Sequence, residues 1–141
     1  MKNTSSTPFK MSALAVAVGM ASTVQAGICT DPDETVAAGF VVTTANDSNS
    51  CTDGVISLRE AINNANANSD ESTITFGSSV TGTIALGSYL PLPQITEDVI
   101  ITGPGEANLT IDGDDSVSYA FYSSSYTAMS IDGLTITDTS Y

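Results

Sequence analysis

Carboxylates dominate the chemistry that this sequence could perform. The 141 residues include 16 Asp and Glu, three Lys and Arg, and no His or Trp, so the formal net charge at pH 7 is −13. Paired carboxylates at a fixed separation can hydrolyse glycosidic bonds. On residue type alone, the candidates for such a pair are Asp112, Asp114, Asp115 and Asp132. Asp112 and Asp132 each precede a glycine in similar segments, where Asp is typical of turns, so the sequence favours a turn role over catalysis.

The segment 112–115, Asp-Gly-Asp-Asp, offers the hard oxygen ligands that calcium prefers. Its spacing differs from that of an EF-hand loop, and so does the spacing of Asp47, Asn49 and Asp53 in the segment 47–53. The glycine-rich nonapeptide of calcium β-rolls is absent as well. We therefore assign no metal and no other cofactor, and a weak surface calcium site at 112–115 stays open as an alternative.

Arg59 is the one residue that could supply a strong base beside carboxylates, as polysaccharide lyases require. Lys2 and Lys10 are the only other basic residues, and both lie in an N-terminal segment that we expect to be removed. Arg59 falls in a predicted helix, where it is expected to pair with a carboxylate or to donate to backbone carbonyls. The sequence therefore predicts no catalytic residue and no enzyme activity for this chain.

Residues 1–26 have the pattern of a secretory signal peptide. Two lysines precede an uncharged apolar run at 11–21, which is too short to span a bilayer, and small residues occupy the cleavage positions near Ala26. The mature chain then begins near Gly27 and is exported, to the extracellular space or to the cell surface (periplasm or outer membrane). It keeps Arg59 alone against all 16 acidic residues, so nucleic acid and anionic membranes are disfavoured partners.

Cys29 and Cys51 are the two cysteines, and both follow the predicted signal peptide. An even number of cysteines in an exported chain favours a disulfide, so we predict a bridge between them. Closing a loop of this length would stabilise the fold by about 3 kcal/mol in the chain-entropy model. Two thiols without histidine are an incomplete ligand set for zinc.

The segment 57–67 is the one convincing amphipathic helix of the sequence. Ser57 is a good N-cap, and Glu60 stands three residues later, which is the spacing of a capping box. Apolar residues recur at i, i+3, i+4 and i+7, so one face of the helix should lie against a core. We expect the helix to cover the first strands, with Ser57, Leu58, Arg59, Glu60 and Ile62 as its structural residues.

Short apolar and β-branched blocks, separated by Gly, Pro, Asn and Asp, make up most of the remaining sequence. The first block is 40–44, and the others begin at Thr73. Leu-Thr-Ile-Asp at 109 resembles Leu-Thr-Ile-Thr at 134, and Thr-Ile-Asp-Gly at 110 resembles Ser-Ile-Asp-Gly at 130, at offsets of 25 and 20 residues. Such offsets are typical of solenoids. The sequence therefore favours a parallel β-helix over an antiparallel sandwich.

Segments 40–44, 57–62 and 73–76 together resemble the N-terminal signature of the CSLREA-domain proteins. Repeats at 101–105, 108–113 and 131–137 are similar to those of polymorphic outer-membrane-type proteins. One difference is that this family usually has Cys directly before its Ser/Thr-Leu-Arg-Glu-Ala motif, whereas Ile56 stands there in this chain. The resemblance implies a secreted or surface-displayed right-handed parallel β-helix, usually the start of a much longer protein.

The sequence therefore predicts a signal peptide at 1–26, a cap segment at 27–72 and truncated β-helix rungs at 73–141. The predicted function is that of a non-enzymatic structural or adhesin-like passenger protein. Its expected partners are a cell-surface glycan, another protein or further rungs of the β-helix. The alternative is the N-terminal part of a polysaccharide lyase or hydrolase whose catalytic rungs lie outside this chain.

Overall fold

Seven short strands and one helix form the part of the chain that the computed structural model describes, residues 40–87 and 91–139. The predicted signal peptide and Cys29 lie outside these residues. The elements in chain order are β1 (Val41–Val42), α1 (Leu58–Asn66), β2 (Ser72–Phe76), β3 (Gly82–Ala85), β4 (Val99–Thr102), β5 (Leu109–Asp112), β6 (Met129–Asp132) and β7 (Thr135–Thr137).

The strands form two sheets, and from β2 onward the chain alternates between them. The four-stranded sheet has the order β1-β2-β4-β6, and the three-stranded sheet has the order β3-β5-β7. Every neighbouring pair is parallel. Parallel strands need a connection that returns to the starting edge. The return from β1 to β2 passes through α1, and each later return passes through a strand of the other sheet.

The predicted fold, an all-β right-handed parallel β-helix, is wrong. The described residues form two separate small parallel sheets and a helix, a mixed α/β-like arrangement rather than a closed solenoid. The segments that join the two sheets are rich in Gly, Pro, Asn and Asp, which favour turns over a further continuous sheet. Within the described residues, the only pairing outside the two sheets is an isolated bridge between Ile95 and Ser123. The antiparallel sandwich is wrong too, because all the pairs are parallel.

The two sequence offsets that suggested a solenoid have different structural meanings. The 25-residue offset corresponds to a real register, because Thr110 pairs with Thr135 and Ile111 pairs with Ile136. The 20-residue offset joins β5 to β6, which lie in different sheets. The shared Ile-Asp-Gly of that second pair therefore reflects similar chemistry where a strand ends, and it does not mark equivalent positions in a repeat.

Two columns of isoleucines run across the sheets and form much of the core. In the four-stranded sheet Ile74 lies beside Ile101, and both are 0% exposed. In the three-stranded sheet Ile84 lies beside Ile111, and both are fully buried. Burying a side chain of this size contributes about 1.5–3 kcal/mol relative to exposure, so these columns are a principal source of stability.

The predicted helix is confirmed, with Ser57 as its N-cap and Ala67 as its C-cap. Its apolar stripe is buried, as the spacing predicted, and it packs against β1 and β2. The buried apolar residues of the stripe are Leu58, Ala61, Ile62 and Ala65. Among the described residues, no helix combines the length and the apolar character needed to cross a bilayer.

Two glycines allow the chain to approach itself closely where β4 and β6 end. The Gly103 N–H donates to the Asp132 carbonyl at 2.8 Å, and the Gly105 N–H donates to the Gly133 carbonyl at 2.8 Å. A Cβ on Gly103 would overlap the carbonyl oxygen of Gly133. A Cβ on Gly133 would lie 2.7 Å from the Gly103 oxygen, and Gly133 also has a φ of +67°. Both positions therefore require glycine.

We expect the substitution Gly103→Ala to lower the free energy of unfolding by about 1–3 kcal/mol, because the added methyl group must push two backbone segments apart. The matched control is Gly87→Ala, whose Cβ would meet its nearest atom, Asp47 Oδ2, only at 3.9 Å. Urea unfolding followed by circular dichroism measures both variants. Equal stability of the two alanine variants would contradict the close approach at Gly103.

Candidate functional site

The beginning of α1 is fixed by reciprocal hydrogen bonds, and the predicted capping box is present. The Glu60 N–H donates to Ser57 Oγ at 3.2 Å, and the Ser57 N–H donates to Glu60 Oε2 at 2.9 Å. The Ser57 hydroxyl also donates to the Ser48 carbonyl at 2.6 Å. Ser57 and Glu60 are both 0% exposed. The start of the helix is therefore held by its own capping box and by a bond to the loop between β1 and α1, residues 43–56, which we call the polar loop.

Glu60 leaves one carboxylate oxygen without a partner. In the described part of the chain, Oε1 is buried and accepts no hydrogen bond, while Oε2 serves the capping box. Burying an unsatisfied acceptor costs about 1–3 kcal/mol. The position at the N-terminus of α1 offsets part of this cost, because the helix dipole favours a negative charge there. Glu60 is a structural residue in this setting.

Arg59 lies at the centre of a network that joins four separate segments. Its Nε and Nη2 each donate at 2.8 Å to one oxygen of Asp47, which makes a two-pronged ion pair. Its Nη1 donates to the Pro91 carbonyl at 2.8 Å. Asp47 Oδ2 also accepts from the Gly87 N–H at 3.1 Å. The network therefore connects α1 to the polar loop and to the segments on both sides of residues 88–90.

The ion pair between Arg59 and Asp47 is largely withdrawn from solvent, since the side chains are 11% and 7% exposed. Bidentate pairs of this kind are among the strongest hydrogen-bonded interactions in proteins. The guanidinium of Arg59 has both the carboxylate partner and the carbonyl partner that the sequence predicted for it. Its forked donors are directed at fixed protein groups, so the arrangement suits the positioning of segments and does not suit proton abstraction from a substrate.

The four candidate carboxylates lie at two places, three at the end of β5 and in the turn that follows it, and one in β6. Asp112 ends β5, and its Oδ1 accepts from the Asp114 N–H at 2.8 Å, which is an Asx-type turn. Asp114 and Asp115 have φ values of 51° and 49°, a left-handed conformation that Asp tolerates in turns. Asp132 lies in β6 of the other sheet. The structure therefore groups three of the four residues in one turn and supports the turn role that was predicted for Asp112.

Within residues 40–87 and 91–139, no group of three or more His, Cys, Asp or Glu side chains is arranged to hold a metal ion. The three acidic residues of the turn at 112–115 therefore do not converge on one point. Asp53, in the second segment considered for calcium, is engaged instead by its own loop, since it accepts from Val55 N–H and from the Ser48 hydroxyl.

Asn66 has a structural role that sequence reasoning missed. Its Nδ2 donates to the Gln94 carbonyl at 2.7 Å, and its Oδ1 accepts from the Thr96 N–H at 2.9 Å. The side-chain amide therefore binds an extended segment as a neighbouring strand would. Asp47 was missed as the partner of Arg59 for a similar reason, because it lies 12 residues away in a turn-rich loop. Each contact depends on chain folding that local spacing does not encode.

Cys51 is disulfide-bonded in the structure. The predicted partner, Cys29, lies outside the described residues, so the pairing of Cys29 with Cys51 stays a prediction. Cys51 stands in the polar loop between β1 and α1, the same loop that supplies Asp47 and Ser48 to the helix. A covalent bond at this position would restrain the loop to which Arg59 and Ser57 are attached.

Strands β6 and β7 each leave one edge unpaired among the described residues, and we call the surface that these two strands form the open end. These strands come last in the order of their sheets, and no further strand pairs with them among the described residues. Ile136 occupies the register position beside Ile111, yet it is 45% exposed whereas Ile111 is 0% exposed. Ile131 likewise lies beside the fully buried Ile101 and is only partly buried. The open end thus presents core-type side chains to solvent.

Comparisons with family models, with curated proteins and with solved structures find no match for this chain. The resemblance of residues 40–44, 57–62 and 73–76 to the CSLREA-domain signature therefore stays a prediction.

Proposed function

We propose that this chain is exported and serves as a structural, adhesin-like protein that acts by binding and not by catalysis. The observation that carries the proposal is the open end, where the outermost strands of the two sheets, β6 and β7, present unpaired edges and partly exposed isoleucines. Exposed edges of this kind are templates for pairing with another chain. A protein whose task is attachment can use such a surface directly.

The state of Arg59 supports binding over catalysis. Arg59 is the sole basic residue after Lys10, and its guanidinium is bound to Asp47 and to the Pro91 carbonyl. A lyase reaction in this chain would need that guanidinium beside a substrate. The turn residues Asp112 and Asp114 are likewise engaged in local hydrogen bonding through the Asp112 carboxylate. Arg59 and Asp112, two of the side chains that could do chemistry, thus have structural roles.

The outward faces of the strands support exposure to an aqueous exterior. Hydroxyl side chains point to solvent at Thr73 of β2, Thr83 of β3, Thr102 of β4 and Ser130 of β6. The excess of acidic residues keeps such a surface soluble and discourages non-specific association through self-repulsion. The N-terminal signal-peptide pattern at 1–26 provides the route of export.

Expression of the full chain in a bacterial host tests the proposal. The expected product starts near Gly27 by N-terminal sequencing and is degraded when protease is added to intact cells, or else it is recovered from the medium. The purified product should release no reducing ends or unsaturated sugars from polygalacturonate, alginate or chondroitin. Retention in the cytoplasm with residues 1–26 intact would overturn the export. Turnover of any of these polysaccharides would overturn the binding role.

A further inference from the structure

We propose that the open end binds an extended segment of a basic partner protein by strand addition. This inference rests on the proposed function and names the class of partner. The bound segment would add a strand to β6, to β7 or to both, with backbone hydrogen bonds supplying affinity and alternate side chains supplying specificity. Three observations support it: the direction of the free backbone groups, the partly exposed isoleucines and the charge of the surface.

Among the described residues, the backbone groups of β6 without a strand partner belong to Met129 and Ile131. Ala128 and Asp132 direct their carbonyls to β4, where they accept from the Val99 and Gly103 N–H groups at 3.0 and 2.8 Å. Successive residues of a strand direct their backbone groups to opposite sides. Met129 and Ile131 therefore direct their N–H and C=O groups away from β4, toward the unpaired edge.

The same alternation applies to β7. The Thr137 carbonyl accepts from the Gly113 N–H at 3.0 Å, so Thr135 and Thr137 face β5. Ile136, between them, directs its N–H and C=O groups to the unpaired edge. Ile136 and Ile131 thus combine a free backbone donor and acceptor with an apolar side chain at a core position. An added strand would satisfy the backbone groups and cover the side chains at the same time.

The charge of the open end indicates a basic partner. Asp132 of β6 and Asp138, directly after β7, are exposed. The Asp115 N–H donates to the Asp138 carbonyl at 2.8 Å, which places the exposed Asp115 beside it. In the described part of the chain the only basic residue is Arg59, which is held by Asp47. A second copy of this chain would bring like charges together, whereas lysines or arginines would meet carboxylates.

The test uses the exported full-chain product and three synthetic nine-residue probes. The first probe alternates Val and Lys. The second has the same sequence with N-methyl groups on alternate amides, which removes backbone donors and keeps the charge. The third alternates Val and Glu. Binding is measured by fluorescence anisotropy of labelled probes, and amide chemical shifts of Met129, Ile131 and Ile136 locate the site. We expect the Val–Lys probe to bind at least about tenfold more tightly than the other two.

The matched variants are Ile136→Lys and Thr83→Lys, which put the same charge on the two outermost strands of one sheet. Ile136 lies at the open end, whereas Thr83 is exposed in β3 at the opposite edge. We expect Ile136→Lys to weaken binding of the Val–Lys probe about tenfold, and Thr83→Lys to leave it within about twofold. Circular dichroism verifies that both variants fold. Lysine on exposed edges is well tolerated in natural sheets.

Four results would overturn the inference. Equal binding of the N-methylated probe would show electrostatic attraction without strand addition. Equal weakening by Thr83→Lys would place the site elsewhere. Self-association of the chain in sedimentation experiments, abolished by Ile136→Lys, would assign the open end to a second copy. Failure of all probes, together with export and no polysaccharide turnover, would reject this partner class and leave the proposed function standing.

Discussion

Replacing Arg59 with Met is expected to lower the free energy of unfolding by about 3–5 kcal/mol, because the change leaves a largely buried charge without its partner. The residue left behind is Asp47, which is 7% exposed and would keep only the Gly87 N–H among the hydrogen bonds described for its carboxylate. The loss should appear as a lower urea midpoint with little change in the slope of the transition.

Two further variants separate charge from geometry at this ion pair. Arg59→Lys retains a positive charge but lacks the planar fork, so its loss should be intermediate. The double variant Arg59→Met, Asp47→Leu should recover part of the stability, because neither buried charge remains. The control is Asp70→Asn, which alters an exposed carboxylate on the loop after α1 and should change stability by less than about 0.5 kcal/mol. A loss for Arg59→Met no greater than that of the control would contradict the structural role of Arg59.

The second large effect concerns the isoleucine column of the three-stranded sheet. Ile111→Ala is expected to cost about 2–5 kcal/mol, because Ile111 is fully buried between β3 and β7 and its removal leaves a cavity. Ile136→Ala makes the same chemical change at the neighbouring register position, where the side chain is 45% exposed. Its expected cost is about 1 kcal/mol, since much of that side chain is already in water.

Chemical unfolding of both alanine variants under the same conditions gives the comparison directly. The difference between their losses of unfolding free energy measures how much the burial of the isoleucine column decreases from Ile111 to the open end. Similar losses for Ile111→Ala and Ile136→Ala would mean that Ile136 is covered in solution. That result would contradict the description of β7 as an exposed edge.

Features of the structure that depend on local sequence were predictable. Ser57 and Glu60 lie three residues apart, and their capping box needs no information beyond that spacing. The buried face of α1 also follows from the helical period. The Asx turn at Asp112 is another local device, closed between residues two apart.

The arrangement of the strands was not predictable from the same evidence. Thr-Ile-Asp-Gly at 110 and Ser-Ile-Asp-Gly at 130 look equivalent, yet they belong to different sheets. Short strands with similar turns fit several ways of stacking, and a motif of four residues does not say which sheet it joins. The prediction of a β-helix treated this local similarity as a structural repeat.

The sequence did not identify the hydrogen-bond partners of the structural side chains either. Arg59 was expected to find a carboxylate, but the choice of Asp47 depends on how the loop before α1 folds back. Asn66 reaches residues 94 and 96 across about 30 positions of sequence. Such contacts arise from the tertiary arrangement. The types of residue therefore indicated the kind of interaction but not the partner residue.

The alternation of the chain between two sheets has a consequence for how fast the protein folds. The shortest registered pairing joins Thr110 to Thr135, and the other pairs, such as Ser72 with Val99, are separated further. No strand can therefore form a hairpin with its neighbour, and every pairing must first close a long loop. Topologies dominated by distant pairings fold slowly. If the chain is exported as we propose, slow folding would leave it unfolded for longer and so easier to translocate. Among the described elements, α1 depends on local contacts and can form early.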